Sequence, residues 1–424
     1  MKNPSSPRTI KIKVSKTLQG KIRKGYPWVF YYQIHNRKIS GEAGDLGVIY
    51  DDDNKFLAVG LYDPYSDIRL RILQSGKPAE VGRDFFREQF ENALASRRDL
   101  ERQGTTGYRV LNGENDGFPG LVLDRYGDTA VMKIYAVSWF PHLGELLPAL
   151  QDGLPVRRCV LLLSRHAERT VPGSGGEYRN GQTLFGPPLD SSARFSENGL
   201  CFEADVVQGQ KTGFFLDQRE NRQRVRALAR GKTVLNAFSY TGGFSVYAFA
   251  GGCRSVLEID ANRHALEAAR NNLELNFPAD ELARLDYRQM QGDAFQLFAQ
   301  LEKENKTFDL VILDPPAFAK NSKHKKSALL AYTRLARAGA KRTNDGGILV
   351  ASSCSAPVSA NEFYRAAELG IKASGKGHEE LSRTGHAIDH PVSFKEGAYL
   401  KTIYCRISGK KKSGGEPDRT TDEI

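Results

Sequence analysis

With 424 residues, 40% of them hydrophobic and 26% charged, the chain is too long for one ordinary core and reads as a soluble globular protein of two or three domains. No uninterrupted apolar stretch nears the roughly 18 residues of a membrane span, and the opening MKNPSSPRTI lacks the apolar core and cleavage site of a secretory signal. Five scattered cysteines with no C-x-x-C pair argue against a disulfide framework and for a reducing cytoplasm, and the net charge of +11 points to a polyanionic partner.

That charge is concentrated at the start. Residues 1–40 carry Lys2, Arg8, Lys11, Lys13, Lys16, Lys21, Arg23, Lys24, Arg37 and Lys38 with no acid, which leaves about +1 for the rest. So one-sided a run is better read as a nucleic-acid face than as ordinary solvation. Beside it lies KGYPWVF, an aromatic cluster with Trp28. GDLGVIYDDDNKFLAVGLYD predicts two strands around a turn at Asn54, and IRLRIL a half-buried strand alternating Ile68, Leu70 and Ile72 against Arg69 and Arg71. RDFFREQFENALASRRDL predicts one helix with Phe86, Phe90, Ala93 and Leu94 on a face. GLVLDRYGDTAVMKIY predicts a hairpin turning at Tyr126-Gly127-Asp128. Strands near 158–163 and 199–206 enclose a polar stretch, 165–192, read as a flexible or functional loop.

From about residue 208 strands and helices alternate, the pattern of a largely parallel sheet. Strands TVLNAF, SVLEID, DYRQMQG, FDLVILD and GILVASS are expected, and the polar tail after Ser408 is expected to be disordered. The expected division is 1–76, 77–196, 197–408 and a tail of 409–424.

Chemistry concentrates where these strands end, which is where an open α/β sheet binds its ligands. After the first strand, SYTGGFS offers Tyr240 and the pair Gly242-Gly243 for a tight turn against a ligand. Asp260 ends the second strand and can accept both ribose hydroxyls or cap the next helix; with the glycine turn it favours an adenosine-containing ligand. Asp293 can cap a helix or meet an adenine amino group. DPPAF follows the fourth strand: Pro315 and Pro316 remove two backbone donors and leave carbonyls beside Asp314, a setting suited to a flat polar heterocycle. The flank KNSKHKK, with Lys320 and Lys323, could hold phosphates. Cys354 finishes the next strand and opens onto the same crevice. Histidines His386 and His390 lack further ligands, so no metal is expected.

On these motifs the sequence resembles the bacterial 23S ribosomal RNA methyltransferases of the large-subunit methyltransferase I group, which make 5-methylcytosine. The resemblance spans about residues 9–408 and rests on KGYPWVF, GQKTGFFLDQRENR, NAFSYTGGFS, DPPAF, SCS and DHPV…EGAYLK. It implies an α/β chain: a Rossmann-like class I methyltransferase domain preceded by a β-rich PUA-like RNA-binding domain and a small α+β module. It implies S-adenosylmethionine as cofactor, with Phe215, Asp217, Gln218 and Arg219 lining its site or the adjoining base pocket. In this family pattern Asp260 is the ribose acid, Asp293 an adenine contact, and Asp314 lies at both cofactor and base. Trp28, Lys24, Pro315, Pro316, Phe318, Lys320 and Lys323 fall to the RNA. The expected partner is 23S ribosomal RNA or a large-subunit precursor, in the cytoplasm, with no membrane partner and a homodimer left open.

Cytosine carbon five needs activation, which a thiolate adding at carbon six provides. Cys354 is the expected nucleophile and Asp314 its helper at ring nitrogen three. Asp389 and His390 are the candidates for removing the carbon-five proton; Cys159, Cys201, Cys253 and Cys405 read as structural. Two rivals stand: methylation of a guanine ring nitrogen on the same fold, with Cys354 incidental, and a non-catalytic RNA-binding or ribosome-assembly factor.

Overall fold

The computed structural model describes residues 7–36, 39–170, 178–189 and 191–409. Lys2, Arg37, Lys38, part of the 165–192 stretch and nearly all of the expected tail lie outside them. The chain forms two compact units, Met1–Glu220 with His386–Ala398, and Asn221–Gly385 with Tyr399–Ile424.

The first unit begins with β1 (Thr9–Ile12), α1 (Lys16–Ile22), β2 (Trp28–Phe30), β3 (Leu46–Tyr50), β4 (Phe56–Tyr62) and β5 (Ile68–Ser75), in sheet order β1-β3-β4-β5-β2. The β3–β4 turn is built as expected: Asn54 takes φ 59°, and Asp51 Oδ1 accepts the amides of Asp53 and Lys55. β5 is not half-buried. Leu70 packs with Ile12, Val29 and Ile49 on one side, while Leu61 and Leu73 join Phe86, Phe90 and Trp139 on the other. Arg71, expected outside, is therefore buried and paired with Glu114 at 3.3 Å.

Next come α2 (Arg83–Ala95) and α3 (Arg98–Arg102), where one helix was expected. The break falls at Ser96–Arg97 because Arg97 turns inward, 2% exposed, onto Asp116. A second sheet follows from β6 (Gly107–Asn112), β7 (Leu121–Tyr126), β8 (Thr129–Ile134), α4 (Leu143–Gly153), β9 (Arg158–Leu163), α5 (Arg165–Thr170) and β10 (Thr183–Phe185), in order β10-β9-β8-β7-β6. The β7–β8 hairpin closes with Tyr126 opposite Thr129. α5 and β10 fall inside the expected loop; α5 buries only Ala167 and β10 is half-buried throughout, so neither has an apolar signature. β11 (Ala193–Glu197) and β12 (Leu200–Ala204) form a separate hairpin.

After α6 (Arg219–Leu228), the second unit runs β13 (Thr233–Ala237), α7 (Gly243–Ala250), β14 (Ser255–Asp260), α8 (Arg263–Glu274), α9 (Ala279–Arg284), β15 (Asp286–Gln291), α10 (Ala294–Lys303) and β16 (Phe308–Leu313). It continues with α11 (Lys325–Arg342), β17 (Thr343–Ser353), α12 (Ala360–Ala373), β18 (Gly377–Thr384) and β19 (Lys401–Ser408). The sheet order is β15-β14-β13-β16-β17-β19-β18, parallel through β17 and antiparallel in β19 and β18. The inner parallel strands β13, β14, β16 and β17 are apolar in consecutive positions because both faces are covered, whereas the edge strand β15 is polar and partly exposed. Leu235, Leu257, Val311 and Leu349 meet α10, α11 and α12, while Val234, Val256, Ile312 and Val350 meet α6 and α7. This is a Rossmann-like sheet whose parallel strands present their carboxyl ends along one edge.

Candidate active site

At that edge the turn after β13 is conformationally costly. Phe238 and Tyr240 hold φ of 62° and 48°, a region non-glycine residues avoid and which clusters at ligand sites. Asp260 secures the turn: its Oδ2 accepts the Tyr240 amide at 2.9 Å and its Oδ1 the Asn262 amide at 2.9 Å. Asn262, not Asp260, caps α8, its side chain accepting the His264 amide at 3.0 Å. Each carboxylate oxygen of Asp260 keeps lone-pair capacity for a hydroxyl. Gly242 is required at φ 74°, and a β-carbon there would lie 2.7 Å from the Ala269 side chain and 3.0 Å from Glu258 Oε1. Gly243 opens α7 directly behind it. In the same segment the buried Ser239 Oγ and Thr241 Oγ1 have no hydrogen-bond partner among the described residues. Buried polar atoms demand partners, so these hydroxyls and Asp260 fit a hydroxyl-rich nucleoside such as that of S-adenosylmethionine. Asp293 caps α10, accepting the Gln296 amide at 3.0 Å.

Two further turns are stitched together. The Asp314 amide reaches the Ala237 carbonyl at 3.5 Å, tying DPPAF to the first turn. Ser355, fully buried, accepts the Ala319 amide at 3.1 Å and pairs with the Tyr332 hydroxyl at 2.8 Å, while Phe318 packs on the Tyr332 ring at 4.8 Å. Cys354 thereby sits one residue beyond β17, partly exposed, with Sγ 3.9 Å from the Pro315 carbonyl. Pro316, Lys320 and Lys323 are exposed just ahead of α11. Lys401 begins β19 opposite Ser353, and its ammonium donates to the Ser355 carbonyl at 2.7 Å and the Tyr399 carbonyl at 2.8 Å. Burial pulls it down to about 8, against the opposing influence of Cys354 and Glu362. Burial pushes the thiols of Cys159, Cys253 and Cys405 up to about 12; Cys201, expected to be structural, is exposed on β12 because its strand alternation turns it outward.

The other sequence candidates belong to the first unit. Lys211 lies over the Phe215 ring at 4.5 Å and donates to Asp217 Oδ2 at 2.5 Å; Asp217 and Gln218 are buried. Arg219 forms a two-pronged pair with Asp389, both contacts 3.0 Å. Burial alone would lower the Arg219 guanidinium and raise the Asp389 carboxyl, but attraction within the cluster reverses both, leaving Arg219 raised and Asp389 well below the carboxylate range. Asp389 also accepts the Arg109 amide at 2.7 Å and pairs with His390 at 3.0 Å, at zero exposure. A buried carboxylate so saturated with donors is no base for a substrate proton, which corrects the expectation for Asp389; His390 is 2% exposed beside it.

Trp28 is also committed internally. Its Nε1 donates to Glu114 at 2.8 Å and its ring meets Phe394 at 5.1 Å, whereas Tyr31 and Tyr32 beside it are 55% and 66% exposed. Of the basic arm, Arg8 and Arg23 pair with Asp45 and Asp51, and Lys11 bonds Asn54. Lys13, Lys16, Lys21 and Lys24 stand exposed with no carboxylate partner among the described residues. Sequence reasoning missed Ser355, Lys401 and the two tyrosines; only the SCS and EGAYLK stretches flagged the first two. Among the described residues no cluster of three or more His, Cys, Asp or Glu could hold a metal ion, and no helix is long and apolar enough to cross a membrane.

Residues 161–374 match the family described as S-adenosylmethionine-dependent methyltransferase, and residues 12–75 match a PUA-like domain. A ribosomal RNA large subunit methyltransferase from Deinococcus radiodurans is 44% identical over 408 residues, 95% of this chain and 98% of that one. A ribosomal RNA large subunit methyltransferase I from Shewanella denitrificans is 35% identical over 407 residues, 94% of this chain and 99% of that one. The solved structure of a methyltransferase from Streptococcus mutans shares the fold at a TM-score of 0.77 and 24% identity, covering 94% of this chain and 100% of the other.

Proposed function

This chain belongs to the S-adenosylmethionine-dependent methyltransferases, in the ribosomal RNA large-subunit group, and from that premise we propose that it methylates carbon five of a cytosine in 23S ribosomal RNA through a Cys354 adduct. The observation that carries this reading is the thiol of Cys354 at the Pro315 carbonyl, 3.9 Å away, on a loop that Ser355 clamps to DPPAF. A thiol incidental to the chemistry has no need to face that loop.

Bound S-adenosylmethionine supplies a methyl group carried on a positively charged sulfur. Asp260 would accept its ribose hydroxyls, the Tyr240–Gly243 turn would take the nucleoside, and Asp293 would meet the adenine. The Cys354 thiolate forms a bond to carbon six; the electron pair of the carbon five–six double bond moves into the ring, and Asp314 gives a proton to nitrogen three. The Pro315 carbonyl receives the exocyclic amino group. Carbon five would then take the methyl group as the methyl–sulfur bond breaks, its electron pair staying on the cofactor sulfur and cancelling the sulfonium charge. A base takes the carbon-five proton, the sulfur–carbon bond breaks to restore the double bond, and nitrogen three returns its proton to Asp314. In this reading residues 1–76 hold the RNA and the chemistry lies within 197–408, of which 197–220 and 386–398 belong to the first compact unit, as does the central module 77–196; the setting is the cytoplasm.

Cys354→Ala should abolish methyl transfer and leave cofactor affinity near wild type, because the thiol adds little ground-state binding. RNA bearing 5-fluorocytidine should trap a covalent adduct with wild type and none with Cys354→Ala. Methylation by Cys354→Ala would sink the covalent reading and move the enzyme to a ring nitrogen.

A further inference from the structure

Lys401 brackets Cys354 from both sides. Its backbone stands opposite Ser353, the residue before the cysteine, in the β17–β19 ladder, and its ammonium donates to the carbonyl of Ser355, the residue after it. A second bond, to the Tyr399 carbonyl, fixes the ammonium at this end of the strand. Lys401 is 2% exposed. Burying an ammonium is costly unless its charge is answered, and two carbonyls could equally be served by a neutral amide. The charge itself therefore needs an explanation.

The surrounding groups supply little counter-charge. Glu362, at the start of α12, acts on Lys401 but is engaged by Lys325 at 2.7 Å and by Ser359 at 2.6 Å. Tyr332, from α11, hydrogen-bonds Ser355 and is kept neutral by burial. Asp314 follows β16, the neighbouring strand, and precedes Pro315, whose carbonyl takes the thiol. Among the described residues, the thiol that the ammonium brackets is a group that can answer its charge, and Cys354 acts on Lys401 more strongly than Glu362 does.

We propose that Lys401 is a positioning residue for Cys354: its buried ammonium favours the thiolate over the thiol and, through the Ser355 carbonyl, holds the sulfur toward the DPPAF loop. The thiol proton goes to solvent and the ammonium keeps its own. This deepens the covalent reading and rests on it. The lowered lysine, at about 8, remains mostly charged near neutrality, as the role requires.

The test is the pH dependence of iodoacetamide alkylation at Cys354, read by mass spectrometry of the peptide that carries it so that exposed Cys201 does not interfere. Full-length wild type, Lys401→Gln and Lys401→Met are compared, with cofactor binding by calorimetry as the check of folding. An ordinary thiol titrates at about 8.5, and a neighbouring lysine lowers that value. Wild type should titrate at least one pH unit below the ordinary midpoint, and both variants should move back up by about one unit or more. An unchanged midpoint in a folded variant overturns the proposal. Should neither variant fold, a wild-type midpoint at or above the ordinary value overturns it. Methylation by Cys354→Ala would remove the covalent reading without altering the alkylation result, so the two failures are separable.

Discussion

Replacing Asp389 separates a structural carboxylate from a catalytic one. Asp389→Ala takes from the Arg219 guanidinium, 2% exposed, its two-pronged carboxylate partner, leaving Glu220 at 2.8 Å, and removes the carboxylate that accepts the Arg109 amide. Removing one partner of a buried ion pair costs about 3–5 kcal/mol. For a unit of roughly 230 residues each kcal/mol moves the melting midpoint by about 2–4 °C, so calorimetry at neutral pH should show a fall of about 6 °C or more. Asp389→Asn keeps the shape and an acceptor but loses the charge, and should fall between the two. The pH dependence has a defined sign. The folded carboxyl lies below its unfolded value, so its contribution is complete above the ordinary aspartate pKa of about 4 and fades as pH drops toward the folded one. The gap between wild type and Asp389→Asn should therefore narrow below about pH 4. A melting point for Asp389→Ala within about 2 °C of wild type would refute the buried-pair argument.

Asp260→Ala should weaken S-adenosylmethionine binding tenfold or more, since each charge-assisted bond to ribose is worth roughly 1.5–3 kcal/mol; unchanged affinity in a calorimetric titration would remove Asp260 from the site. Changing Lys13, Lys16, Lys21 and Lys24 together to Gln should flatten the log–log salt dependence of RNA binding by about 3, and an unchanged slope would make them plain solvated surface. Substitution is the right perturbation because deleting the first 75 residues would take Leu61 and Leu73 out of a shared core.

What could be read from the sequence follows the strength of each local signal. The strands TVLNAF, SVLEID, FDLVIL and GILVASS are legible because burial on both faces forces consecutive apolar residues. Asp260 and Cys354 are legible because they sit at the ends of such runs. β18 and β19 escape: GHEELSRT is polar, and in the structure only intermediate or exposed. α11 hides behind the basic run that begins it, although Tyr332, Leu335 and Ala336 are buried. Asp389 and Arg219 are 170 residues apart, and no periodicity announces a pair at that separation. Trp28 is misleading for a related reason. An aromatic beside a basic arm suggests stacking on a base, yet its indole proton goes to Glu114, 86 residues away.

The direction of β19 is what makes Lys401 available to Cys354. In a parallel ladder, the strand beside β17 would bring its carboxyl end to the edge where the cysteine emerges, and its first residues would lie at the far side of the sheet. β19 runs antiparallel, with Ser353 opposite Lys401 and Ile348 opposite Arg406. Its first residue therefore meets the last residue of β17. The side chain that begins one strand can then reach the carbonyls of the loop that leaves the other, which fixes the ammonium without any loop of its own. Groups held on packed strands keep their geometry better than groups on loops, and the proposed nucleophile, one residue beyond its strand, gains from such a fixed neighbour. The reversal at the end of an otherwise parallel sheet thus supplies a charge to the carboxyl edge that a further parallel strand would have supplied only from its end.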